Sequence, residues 1–346
     1  MPVQDFLFFA NNSRLGRTPN VSIAVAGGGV EMAGTPQNSS MQQGIEMTNV
    51  AAIDWSITGI NDFWFHCEWD PSTGGGTPPA ENGIKFMNGS TELFRLTVTS
   101  SLTEMEFQYH NGSMWVTIGS AITNPAPNGI NSINVDVQIN IADAGGYARL
   151  YLNRSSTAAA ELTGDTLFRG LSTVDVIRLG GTSVSGSGSS SRTFFYEPLI
   201  ADEDTRDFIC EWSSTSSQGT RADWNGTESN IDNIQGDRDA DADLVAADAT
   251  DEITTYNMAA HDAALDVGHT IVTVAQIFLA RQTVANGLDL QPAVYKTAMD
   301  YNLSTMPLGN DWEYYISYWD TDPSTASAWA DQSAVEAAEF GMKAVT

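Results

Sequence analysis

The sequence predicts an all-β chain of two β-sandwich domains. The first reads as a two-sheet jelly roll, the second as a sandwich with one short C-terminal helix. Three observations predict it. Short apolar segments recur between turn signals, and no long stretch keeps a helical period. Within those segments apolar and polar residues alternate, which buries one sheet face and wets the other. Midway, Phe194-Phe195-Tyr196-Glu197-Pro198-Leu199-Ile200-Ala201 runs into Asp202-Glu203-Asp204-Thr205-Arg206, an acidic break that suits a connector. The break divides the chain into a first domain at 1–204 and a second at 205–346.

The first domain opens on the apolar run Phe6–Phe9 and the alternating segment Val21–Val25. The Gly27–Gly29 triplet lacks the lysine and following helix of a phosphate loop, so it reads as a turn. Asp62–Asp70 is a strand with Phe63, Phe65, Cys67 and Trp69 on one face and Trp64, His66, Glu68 and Asp70 on the other. Pro71 is expected to end it. Gly83–Met87, Leu93–Thr99, Glu104–His110 and Trp115–Ile118 follow, the last two joined by the hairpin signal Asn111-Gly112. Ile133–Ile141 alternates cleanly, and Tyr147–Leu152 and Val174–Leu179 also read as strands. Thr182–Ser191 is a Gly/Ser loop. In the junction strand, Phe195, Glu197, Leu199 and Ala201 are expected on one face, and Phe194, Tyr196, Pro198 and Ile200 on the other.

The second domain starts at Phe208–Trp212 and contains a strand at Ile253–Met258. Thr270–Ala280 is almost continuously apolar, so it is expected to be a central strand buried on both faces. Leu288–Lys296 and Trp312–Trp319 are further strands. Asp331 can cap a helix from Gln332 to about Phe340, stopped by Gly341, before a last strand Met342–Val345.

The junction at Ala201–Arg206 and the closing run Trp319-Asp320-Thr321-Asp322-Pro323-Ser324-Thr325-Ala326-Ser327-Ala328-Trp329, then Phe340–Val345, resemble structural proteins of tailed bacteriophages. In these a concanavalin-A-like (laminin-G-like) jelly roll precedes a second β domain. Ala326 stands where that pattern has glycine. The resemblance implies a non-enzymatic virion component on the particle exterior, first a tail or fibre part that contacts host surface polysaccharide. A capsid decoration or head fibre is the alternative, and a secreted lectin or glycosidase the second one. By the same analogy the chain is a homo-oligomer, a trimer, bound to other virion proteins, and its location is the virion.

Composition narrows the partners. Net charge is −28, with 15 Lys and Arg against 43 Asp and Glu. So acidic a surface repels phosphate backbones and anionic membranes, which argues against nucleic acid and membrane insertion. It suits a saline, screened medium. The Met1–Asp5 stretch has no basic signal-like region, and no segment is a long apolar span. Cys67 and Cys210 lie far apart in apolar patterns and are expected to be buried free thiols.

Candidate chemistry is sparse. Glu68-Trp69-Asp70 matches the first part of a Glu-x-Asp-x-x-Glu glycosidase strand, but Thr73 stands where the second glutamate belongs, and Glu104-Met105-Glu106 is weaker. No catalytic residue is expected. His261 and His269 lack zinc spacing, and no Gly-x-Ser-x-Gly elbow occurs. Asp237, Asp239, Asp241, Asp243 and Asp248 follow calcium-loop spacing but lack its glycine and bidentate glutamate, so calcium is the one cofactor the spacing admits. Trp64, Tyr109 and Trp115 are the candidates for a glycan groove, against the ordinary reading of strand aromatics as core.

Overall fold

The computed structural model of the chain describes residues 3–6, 15–17, 21–25, 43–48, 52–73, 83–99, 103–125, 133–180, 192–208, 215–226, 245–258, 270–282, 287–310 and 313–346. The chain forms two compact units, Val3–Cys210 and Glu211–Thr346. The first unit reaches past the acidic break at 204 because Thr205 is fully buried and donates its hydroxyl to Asp136 Oδ1 at 2.7 Å. Phe208 N then donates to Thr205 O at 2.9 Å. Asp202, Glu203 and Asp204 stay exposed, as acidic residues in a turn should.

The strands of the first unit are β1 (Val3–Phe6), β2 (Leu15–Arg17), β3 (Val21–Val25), β4 (Gln43–Thr48), β5 (Ala52–Ile60), β6 (Asp62–Thr73), β7 (Gly83–Asn88), β8 (Thr91–Val98), β9 (Glu104–His110), β10 (Trp115–Thr117), β11 (Ile122–Thr123), β12 (Ile133–Asn140), β13 (Gly146–Leu152), β14 (Ala160–Gly164), β15 (Val174–Gly180) and β16 (Arg192–Ala201). One sheet has the order β14-β13-β12-β6-β16-β4-β3, with β1 also on β16. The other has the order β10-β9-β8-β7-β15-β5-β2, with β11 also on β9. Every pairing is antiparallel. The fold is the expected all-β, concanavalin-A-like jelly roll.

One core joins the two sheets. Phe63, Phe65, Cys67 and Trp69 of β6 meet Phe86, Phe94, Leu96 and Phe107 of the facing sheet, and Ile133, Val135, Val137 and Ile139 fill the same layer. Phe65 meets Phe86 edge-on at 5.4 Å, and Trp69 stacks on Phe195 at 5.7 Å. These are the alternations that the sequence shows, with every second residue turned inward.

Two strands depart from simple alternation. β6 does not stop at Pro71 but runs to Thr73, and its pairing with β16 slips between Phe194–Asp70 and Arg192–Thr73. An irregularity there absorbs the proline, which cannot donate to the ladder. In β16 a second slip, between Tyr196 and Leu199, puts both Phe195 and Ile200 in the core. The expected faces therefore swap after Pro198.

Cys67 is a free thiol, fully buried, and its pKa is pushed well up by burial and then by the nearby Asp136 and Glu68 charges. In a Cys210→Ser background the native chain should react with Ellman's reagent at least about a hundredfold more slowly than the denatured chain. Labelling at equal rates would contradict this burial. Cys210 lies outside the described residues.

The second unit contains β17 (Thr215–Ala222), β18 (Ile253–Met258), β19 (Val274–Ala280), β20 (Asp289–Lys296), β21 (Met299–Asn302), β22 (Glu313–Trp319), helix α1 (Gln332–Glu336) and β23 (Glu339–Val345). A five-stranded sheet has the order β17-β18-β23-β20-β21, and β19 pairs with β22 in a second sheet. The central strand is therefore β23. The apolar segment Thr270–Ala280 instead forms a two-stranded ribbon with β22, and most of its described residues are half-buried. The ribbon packs against the larger sheet and does not sit within it: Phe278 and Ala280 of β19 bury with Leu290 of β20, and Trp319 of β22 shares a core with Val294, Trp329, Ala338 and Phe340.

Asp331 does cap the helix, accepting from Ala334 N at 2.9 Å. The helix ends at Glu336, not near Phe340, because Phe340 is drawn into the sheet opposite Val294 and against Trp329. In the closing turn Ala326 takes a left-handed backbone (φ 56°), the conformation that favours glycine.

Candidate functional site

The outer face of the β10-to-β2 sheet carries a row of polar residues set by strand register. Arg95 of β8 lies opposite Gln108 of β9, and Thr117 of β10 opposite Gln108 on the other side. Trp115 of β10 lies opposite His110 of β9. Alternation on β9 turns Met105 and Phe107 into the core, so Glu106, Gln108 and His110 project outward on this face.

These side chains form one connected cluster. The Arg95 guanidinium sits 4.0 Å over the Trp115 ring, and His110 meets the same indole edge-on at 5.1 Å. Arg95 Nε donates to Gln108 Oε1 at 2.7 Å, and Gln108 Nε2 donates to Glu106 Oε2 at 2.7 Å. The hairpin after β9 is tightened by Asn111 Oδ1, which accepts from Ser113 N and Met114 N at 2.9 Å each. Gly112 allows that turn with φ 99°. Its N–H donates to His110 Nδ1 at 3.0 Å, which orients the imidazole.

A distant segment completes the cluster. The 3-10 turn Phe168–Gly170 inserts Phe168 against the Tyr109 ring at 4.6 Å. Arg169 then points at His110, with Nη2 2.9 Å from Nδ1 and 2.8 Å from Nε2. A guanidinium can lie that near both nitrogens only by resting against the ring face. His110 titrates below the ordinary histidine range, through burial first and then the Arg169 and Arg95 charges. Trp115 and His110 are half-buried, Arg169 is exposed, and neighbouring Met114 is 63% exposed. An open aromatic edge, an imidazole, two guanidiniums and an amide thus share one rigid surface.

The structure does not gather Trp64, Tyr109 and Trp115 into one groove. Trp64 is on the other sheet's outer face, stacked on Tyr151 at 5.5 Å with Arg206 5.6 Å over it. Tyr109 turns inward and packs on the core. Trp115 alone lies in the cluster just described. The sequence reading missed Arg95, His110 and Arg169. Their cue was the strand register for the first two, while Arg169 comes from a turn about 60 residues on, with no local signal.

Beneath Trp64's face, His66 Nδ1 lies 2.7 Å from Asp136 Oδ1, which also accepts from Thr205. The hydroxyl bonds to the carboxylate and not to the imidazole, so this buried trio anchors the junction and presents no activated nucleophile. Asp70 is buried and Glu68 half-buried, while Glu104 is exposed and Glu106 is held by Gln108. Of the calcium candidates, Asp237, Asp239, Asp241 and Asp243 lie outside the described residues. Asp248 is exposed and accepts from Asn225 Nδ2 at 2.5 Å. Among the described residues no cluster of three or more His, Cys, Asp or Glu side chains is placed to hold a metal. The second unit has an open concavity of about 520 Å³ lined by Asp300, Tyr301, Asn302, Tyr318, Asp320 and Pro323. Two of these carboxylates are already engaged, Asp300 by Arg221 and Asp320 by Thr273.

No family model and no curated protein sequence matches the chain. Among solved structures it is similar to the Caenorhabditis elegans galectin LEC-6, at 12% identity over 45% of this chain and 95% of that one, with a TM-score of 0.29. It is similar to the botulinum neurotoxin serotype C1 binding domain, at 10% identity over 96% and 94% of the two chains, with a TM-score of 0.39. It is also similar to Trypanosoma rangeli sialidase, at 12% identity over 54% of this chain but only 31% of the enzyme, with a TM-score of 0.31. The expectation of a non-enzymatic chain is overturned by the sialidase that stands beside the galectin among the similar structures.

Proposed function

We propose that the chain binds carbohydrate through the Trp115 face of its first unit, as an outward-facing structural component of a tailed-phage virion. The observation that carries the binding reading is the half-buried Trp115, held on paired strands with Arg95, His110 and Gln108 around it. Sugars are recognised by an aromatic surface for their C–H face and a few fixed polar groups for their hydroxyls. Trp115 and this ring of donors offer both. The virion reading is supported by the junction at Ala201–Arg206, the closing Trp319–Trp329 run and an acidity that disfavours a genome-facing position. A symmetric oligomer and a host polysaccharide follow as partners.

The test is a glycan array with the full chain. Wild type should bind a subset of glycans, and Trp115→Ala should weaken that binding at least about tenfold. Circular dichroism should be unchanged, since Trp115 lies outside the core. Binding that survives Trp115→Ala would place any sugar site elsewhere. Immunogold labelling of purified particles separates a tail from a head position, and particles without label would end the virion reading.

A further inference from the structure

We infer that the sugar taken by this face is acidic, a uronic or sialic acid unit held by its carboxylate, and that Arg169 selects it. The inference rests on the reading of this face as a carbohydrate site.

Acids outnumber bases 43 to 15 in this chain, so a cation without an acid beside it is a departure. Among the described residues Arg149, Arg178, Arg206 and Arg221 each pair with a carboxylate. So do all three lysines, Lys85, Lys296 and Lys343. Arg169 does not: it is exposed and rests on His110 alone. Arg154 also lacks an acid, but it stands on an exposed hairpin with no ring or donor cluster beside it.

The backbone at Arg169 is also unusual. Its φ is 59°, inside the left-handed region that non-glycine residues seldom adopt. Glycine follows it, not precedes it, so the strain falls on the arginine itself. Such strain persists where the surroundings impose it, and the Phe168–Tyr109 stack does so here. The result is a guanidinium set out in front of the imidazole.

Charge around the site points the same way. Arg95 and Arg169 bracket the Trp115–His110 pair. Close by, Glu106 accepts from Gln108 Nε2 and Glu92 pairs with Lys85. Both guanidiniums depress the His110 pKa, after burial, while the Glu92 charge opposes them. A carboxylate matches a guanidinium with two parallel hydrogen bonds, and the rest of the sugar ring would lie on the indole. A neutral sugar would leave Arg169 without a partner.

The experiment titrates the full chain by NMR with N-acetylneuraminic acid and glucuronic acid, and with N-acetylglucosamine and glucose as neutral counterparts. The acidic sugars should bind at least about tenfold more tightly, and the margin should shrink as salt rises. Arg169→Gln should erase the margin. Arg169→Gly, which suits the left-handed backbone, should do the same and so separates lost charge from a distorted turn. Equal binding of acidic and neutral sugars, or an unaltered margin in Arg169→Gln, overturns the inference and leaves the carbohydrate reading standing. If none of the four sugars shifts a resonance near Trp115 at millimolar concentration and the array is blank, both fall.

Discussion

Asp322→Ala is expected to destabilise the second unit by about 3–5 kcal/mol, measured by urea denaturation. Asp322 is the acid of a buried ion pair. Its Oδ2 lies 2.7 Å from Lys296 Nζ, and both residues are under a tenth exposed. Lys296 Nζ also donates to Ala334 O at 2.6 Å and sits 4.8 Å over the Trp329 ring. One side chain thus ties β20 to the closing loop and to the helix. Removing the acid leaves an ammonium buried with one carbonyl and one ring, which costs more than the pair ever contributed. Asp322 Oδ1 meanwhile accepts from Ser324 N and Oγ, so the alanine loosens the turn as well.

The double variant Lys296→Met/Asp322→Asn separates these effects. It removes both charges and keeps an acceptor for Ser324, so it should cost clearly less than the sum of the two single changes. Burial alone would raise the Asp322 pKa, but Lys296 and the two Ser324 donors hold it below the usual carboxylate range. A carboxyl lowered on folding stabilises fully above its unfolded value of about 3.9 and stops doing so as pH falls through its folded value. Wild type should therefore lose stability on acidification below about pH 4 more steeply than Asp322→Asn. A cost below about 1 kcal/mol for Asp322→Ala would mean that this pair is solvated and not buried.

Alternation carried the legible part of the fold. Phe63, Phe65, Cys67 and Trp69 could be placed on the inner face because a strand has a period of two and only one face was apolar. The hairpin at Asn111-Gly112 was equally plain, since its chemistry is local. What failed depended on pairing. Thr270–Ala280 is apolar enough for a sheet centre, yet β19 pairs with β22 and β23 takes the middle of the larger sheet, and period alone does not report pairing. The site shows the same division. Trp115 was legible as an aromatic at the start of a strand. Arg95 and Arg169 became its neighbours only through sheet order and a remote turn.

Gly341→Ala tests the part that the sequence hid. The glycine looked like a helix stop, and instead it lies in the middle strand of the five-stranded sheet, opposite Thr255 on one side and Ala293 on the other. A Cβ built there would lie 1.8 Å from Thr254 O, 2.7 Å from Thr254 C and 2.7 Å from Thr255 Cα. All three are backbone atoms, so no rotamer change relieves the contact, and β18 must move away from β23. That movement would break the ladder next to the residues that bury Tyr256 and Phe340. The expected cost is about 3 kcal/mol, at the upper end of ordinary overpacking, because the obstacle is a strand and not a side chain. Gly112→Ala is the comparison, since its Cβ would meet nothing within 4 Å and only its φ of 99° opposes the change. That control should cost about 1 kcal/mol. Equal costs at the two positions would mean that β18 and β23 are not paired in this register, and the sheet order of the second unit would have to be redrawn.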